Sequence, residues 1–142
     1  MIDFDFIDIE IPGFDSEFFV LTVSELLTKE SYNLGEISVV FCSDDYLLNM
    51  NKQYLNHDYY TDIITFDYSD NRIVSGDLFI SFDRVKENAS IYAVPINYEL
   101  CRVIYHGILH LCGYKDKSEE EKIAMRGKEN EYLDLFVSRE TF

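Results

Sequence analysis

His106-Gly107-Ile108-Leu109-His110-Leu111-Cys112-Gly113-Tyr114-Lys115-Asp116 carries two of the chain's three histidines, four residues apart in an apolar run. On a helix that spacing stacks both imidazoles on one face. Working outward, Pro95 suits the first turn of this helix. Leu100, Cys101, Val103, Ile104, Ile108, Leu109 and Leu111 then cover nearly every direction of it, the mark of a buried central helix. Gly113 suits the position after its end and lets the chain fold back, which delivers Asp116 toward the imidazoles. Two imidazoles among leucines need a hydrogen-bonding or metal partner. His106, His110 and Asp116 are therefore the candidate ligands of one metal ion, Zn2+ or another transition metal. Such a set leaves coordination positions open for water or substrate, the catalytic rather than the structural pattern. It lowers the pKa of a coordinated water and polarises a carbonyl or phosphoryl oxygen. The same set suits non-haem iron, so the choice of metal stays open. Gly107 occupies the place of the glutamate base in H-E-x-x-H peptidases; it argues against that class and leaves room for close backbone packing or for substrate. Cys112 is either a competing ligand or a core residue.

The rest of the chain reads as alternating strands and helices. Strands are expected over residues 2–9, 36–42, 62–68 and 76–82, where β-branched and aromatic residues cluster or alternate. Helices are expected over 15–30, with Phe18, Leu21, Leu26 and Leu27 apolar, and over 44–54, with Leu47, Leu48, Met50 and Tyr54 inward. A short helix is expected over 84–92. A last helix follows from Ser118, whose sequence Ser118-Glu119-Glu120-Glu121 matches a capping box, to about Phe136. A turn at Ser69-Asp70-Asn71 makes 62–82 a candidate hairpin. The expected fold is α+β: a single domain over residues 1–142, with a four-stranded mixed sheet, about five helices and the metal site on the buried central helix.

Composition narrows the compartment and the partners. Hydrophobic residues make up 47% and aromatics 15% of 142 residues, enough for one real core. No apolar run reaches membrane-spanning length, and acids stand at the N-terminus where a signal peptide carries bases. Three cysteines, each in an apolar run, read as buried free thiols of a reducing cytoplasm. The net charge of −15, from 12 basic and 27 acidic residues, excludes generic nucleic-acid binding through a basic surface. Any nucleic-acid role must rest on a local basic patch, a metal or a partner.

Residues 106–116 resemble the H-G-x-L-H-L-x-G-Y-D-H signature of the YbeY family, bacterial single-strand-specific metallo-endoribonucleases. His106, Gly107, Leu109, His110, Leu111, Gly113 and Tyr114 match it. Thr61-Asp62-Ile63-Ile64-Thr65-Phe66 is similar to the family's T-D-V-L-S-F segment, Gly76-Asp77-Leu78-Phe79-Ile80-Ser81 to its G-D-I-x-I-S segment, and Asn51 and Tyr54 to its N-x-x-Y helix. Order, spacing and length agree over most of the chain. Two departures stand out: the third metal-binding histidine falls on Asp116, preceded by Lys115 instead of aspartate, and the arginine after N-x-x-Y falls on Leu55.

The resemblance implies a zinc-dependent endoribonuclease of the cytoplasm that acts in 16S rRNA 3′-end maturation and ribosome quality control, with ribosomal RNA and the ribosome or ribosomal proteins as partners. Catalysis would rest on a metal-activated water. His57 and Asp62 are the side chains to consider as catalytic helpers: His57 as a substitute phosphate contact or a solvated loop residue, Asp62 as an orienting carboxylate or a turn residue. Asp77 likewise is either an orienting carboxylate or a strand-end cap. Two alternatives remain at this point, a metallohydrolase of a non-RNA substrate and a non-catalytic ribosome-associated factor.

Overall fold

A computed structural model describes residues 1–137. The elements follow in the order β1 (Ile2–Ile7), α1 (Ser16–Lys29), β2 (Asn33–Cys42), α2 (Asp44–Leu55), β3 (Ile63–Asp67), β4 (Ile73–Ser81), α3 (Phe82–Ile91), α4 (Ile96–Leu111) and α5 (Glu119–Phe136). The strands form one mixed sheet in the order β1-β2-β4-β3. β1 and β4 both run parallel to β2, and β3 returns antiparallel to β4, with Ile63 opposite Ile80 and Asp67 opposite Gly76. The expected α+β architecture and the 62–82 hairpin are thus present. Positions 138–142 of the expected domain lie outside the described residues.

Side-chain alternation sorts the sheet into two faces. Ile37, Val39 and Phe41 of β2 and Val74, Leu78 and Ile80 of β4 enter the main core together with Leu26 and Leu27 of α1, Ile104 and Ile108 of α4, and Leu133 of α5. The opposite face carries a smaller cluster of Cys42, Ile64 and Leu47, against which Met50 and Phe79 pack. α4 is the buried central helix, with ten of its sixteen residues buried. The Tyr105 hydroxyl donates to Thr22 Oγ1 at 2.9 Å inside the core and ties α4 to α1.

Gly107 fixes how closely α4 lies on the sheet. A Cβ there would meet Ile63 Cδ1 at 2.8 Å and Leu78 Cδ1 at 2.9 Å. Of its two expected uses, close packing is the one realised. A side chain at Gly76 would run into the Phe66 carbonyl oxygen at 2.5 Å and Leu111 Cδ2 at 2.7 Å, so the glycines of two separate motifs serve the same helix–sheet contact.

The inward place expected for Tyr54 on α2 is not realised: its side chain is 61% exposed. In α2 the inward position falls instead to Asn51, which is buried beside Leu47. Asp77 does not end a strand: it pairs with Phe66 in the middle of β4, on a separate cleft with Tyr68.

Candidate metal centre

The last turns of α4 carry His106 and His110, and Gly113 (φ +99°) reverses the chain after them. The next residues bring Asp116 back over the helix. His106 Nε2 lies 3.1 Å from His110 Nε2, and Asp116 Oδ2 lies 3.3 Å and 3.4 Å from these two atoms. The ligand atoms of His106, His110 and Asp116 form a cluster able to hold one ion.

The other ring nitrogens explain why this triangle fits a cation. His110 Nδ1 donates to the Tyr114 carbonyl at 2.9 Å. His106 Nδ1 donates to Glu129 Oε2 at 2.7 Å. With both Nδ1 atoms committed as donors, each neutral ring turns an Nε2 lone pair toward its neighbour and toward a carboxylate. Such an arrangement calls for positive charge at its middle. An ion held at zinc–ligand distances in tetrahedral fashion spaces its ligand atoms about 3.3–3.4 Å apart, close to the spacings here.

Glu129 was missed in the sequence. It is 4% exposed, and it also accepts from Arg102 Nη1 at 2.9 Å, with Arg126 Nη1 at 3.5 Å. Burial alone would raise its carboxyl, but the hydrogen bond and charge of His106, with Arg102 and Arg126, outweigh that and hold it below the ordinary range. For His106, burial disfavours the imidazolium, yet Glu129, Asp62 and Asp116 raise its affinity for a proton. A metal must displace that proton. A carboxylate behind a ligating histidine fixes its tautomer and orientation. The available signal was an acid on the inward stripe of α5 that Met125, Tyr132 and Leu133 define.

The turn bearing Asp116 is braced from the far side. The Tyr114 hydroxyl donates to Glu30 Oε1 at 2.7 Å, Tyr132 and Lys128 donate to Glu30 Oε2, and the Tyr32 hydroxyl donates to the Cys112 carbonyl at 2.8 Å. The Ser118–Glu121 capping box then starts α5 as expected. Cys112 stands outside the ligand cluster and packs in the core; burial, with the charges of Glu30 and Asp67, pushes its thiol up to about 12, which disfavours a ligating thiolate. All three cysteines are free and buried.

Asp62 and His57 take different places. Asp62 precedes β3 and lines both clefts that flank the centre. Burial raises its carboxyl, while His106 and the backbone N–H groups of Asp62 and Ile63 favour its charged form. His57 sits on the exposed α2–β3 loop, its Nδ1 3.0 Å from the Tyr59 hydroxyl. Buried Asn51 holds that loop: its side-chain Nδ2 donates to the Tyr59 carbonyl at 2.8 Å, and its main-chain carbonyl accepts from His57 N at 3.1 Å. Leu55 and Lys115 line the same cleft as His57.

Among the described residues no helix is long and apolar enough to cross a membrane. Residues 9–137 match the family model described as Endoribonuclease YbeY. The chain is 50% identical over 137 residues to the Endoribonuclease YbeY of Flavobacterium psychrophilum, with 96% of each chain covered. It is 52% identical over 114 residues to that of Cytophaga hutchinsonii, with 80% of each covered. A solution structure of a Thermotoga maritima protein superposes with a TM-score of 0.64 at 26% identity, covering 95% of this chain and 91% of that one. With its glycine-seated histidine helix, its ligand turn and a match spanning nearly its whole length, the chain belongs to the YbeY endoribonuclease family.

Proposed function

We propose that this chain is a metal-dependent endoribonuclease that cuts single-stranded RNA in the cytoplasm, with Zn2+ as its ion. Its substrate on this reading is ribosomal RNA, in 16S 3′-end maturation and ribosome quality control, and its partners are the ribosome or ribosomal proteins. The observation that carries the reading is the triangle of His106, His110 and Asp116, with spacings suited to one cation, in a chain half identical to relatives named as endoribonucleases. When bound, the ion supplies Lewis acidity toward a phosphodiester and lowers the pKa of water.

The chain's own groups do the rest. His106 and His110 are held in one orientation by Glu129 and the Tyr114 carbonyl. Hydrolysis needs a group to take the proton of the oxygen that attacks phosphorus. Asp62 faces the centre without belonging to the ligand cluster, and we assign that task to it. His57, hydrogen-bonded to Tyr59 on the loop, is left to substrate contact.

The test is cleavage of a labelled single-stranded RNA by zinc-loaded protein, with and without chelator. Chelator and His110→Ala should each abolish cleavage, and Asp62→Asn should lower kcat with metal content unchanged. Equal cleavage by the His110→Ala protein would trace the activity to a contaminant and sink the reading.

A further inference from the structure

Two clefts meet at the metal centre. One, of about 570 Å3, opens toward the α2–β3 loop; the other, of about 360 Å3, opens between α3 and α5. Asp62, His106 and Asp116 line both. A polymer bound across the centre thus has a way in and a way out.

Four of the twelve Lys and Arg residues of this acidic chain line the two clefts: Lys115 the loop-side one, and Arg102, Lys122 and Arg126 the other. Lys115 lines the loop-side cleft, exposed and without an ion-pair partner among the described residues. Lys122 and Arg126 line the other cleft in loose ion pairs, at 3.8 Å to Glu119 and 3.5 Å to Glu129, with more than half of each side chain in solvent. Arg102 is held by Glu129 and Asn130 and is not available.

The loop-side cleft also offers an aromatic surface. The rings of His57 and Tyr59 stack with centroids 5.1 Å apart and 22° between planes. Tyr59 is nonetheless 55% exposed, and Asn51 anchors its backbone. Neighbouring Tyr60 is occupied, with its hydroxyl on Asp45 and the Arg84 guanidinium over its ring. Rings that share a cleft with a free lysine suit a strand whose bases are unstacked, because every base has a face to stack and every link a phosphate.

We propose that a single RNA strand crosses the metal centre through both clefts. One base stacks on the Tyr59–His57 pair, a phosphate sits against Lys115 on the loop side, and the strand leaves past Lys122 and Arg126. This path rests on the reading of the centre as an RNA-cutting site.

The experiment measures binding, apart from cleavage. Fluorescence anisotropy of a short labelled oligoadenylate is followed in chelator, with full-length protein, over a range of salt. Tyr59→Leu should weaken binding roughly ten-fold while Tyr59→Phe stays close to wild type. Lys115→Ala and Arg126→Ala should each flatten the slope of log affinity against log salt by about 0.7. Lys86→Ala, which lies on neither cleft, should change nothing. Wild-type affinity in both Tyr59→Leu and Lys115→Ala, or no binding by the wild type, overturns the path even if the loaded enzyme cuts RNA. Binding with this pattern but no cleavage by the zinc-loaded wild type leaves the path standing and defeats the nuclease reading.

Discussion

The ligand turn and the α2–β3 loop face each other across one cleft and are built by opposite means. On the ligand side both imidazoles and the turn behind them are backed: His106 by Glu129, His110 by the Tyr114 carbonyl, and Tyr114 by Glu30. On the loop side buried Asn51 carries the inner hydrogen bonds while Tyr54, Leu55, Tyr59 and Tyr60 stand in solvent. On the proposed reading, chemistry that tolerates little displacement would sit on the backed wall, and contacts that choose a substrate on the wall that can change without disturbing the ligands.

That contrast breaks most visibly at His110. His110→Ala should leave the protein folded but strip its metal, read by elemental analysis, and take cleavage to background. Glu129→Gln comes next: it keeps the size of the side chain but loses its charge toward His106, and should weaken metal binding roughly 10- to 100-fold in a competition titration with a chromogenic chelator. Unchanged affinity would mean that the backing of the ligand wall is incidental.

Glu99 tests the electrostatics of the same wall. It is 4% exposed on the α3–α5 cleft, and burial, opposed by Arg102, pushes its carboxyl up to about 6 from 4.5. A carboxyl raised in the fold binds its proton more tightly folded than unfolded. Stability is therefore lost as pH rises from about 4.5 through about 6. Glu99→Gln should remove that loss, leaving the variant up to about 2 kcal/mol more stable than wild type at pH 8 in urea melts and near parity at pH 4. Gly107→Ala should cost about 1–3 kcal/mol, because Ile63 and Leu78 must shift in a packed core, and it should appear as a lowered Tm. The smallest effect belongs to the loop. Asn51→Ala should cost about 1 kcal/mol of stability and raise KM for RNA several-fold with metal content intact. Metal loss in that variant would show that the two walls are not independent.

What could be read from the sequence follows from how local each signal is. The two imidazoles and the turn that returns Asp116 lie within eleven residues, so helical spacing together with the glycine break and the carboxylate after it pointed to all three. Helix and strand periods likewise gave every element, with boundaries off by a few residues. β4 begins at Ile73 rather than 76 because its first residues pair with Asn33 and Leu34 of β2, a distant contact that periodicity does not register. Glu129 escaped for the same reason, lying twenty-three residues beyond the histidine it holds. Tyr54 misled because an apolar stripe rule puts tyrosine inward, whereas here the inner position goes to an amide that the loop needs. Gly107 was ambiguous in sequence between packing and substrate, and only the distances to Ile63 and Leu78 decide it.

Glu30, the residue that closes α1, receives Tyr114 from the ligand turn and both Tyr132 and Lys128 from α5. The end of α1 is thereby tied to the ligand turn and to α5, and the three should open together. An ion captured at the other side of the turn would slow amide exchange along the end of α1, a helix that contributes no ligand. The occupancy of the centre would then be legible in the breathing of a part of the protein that never touches it.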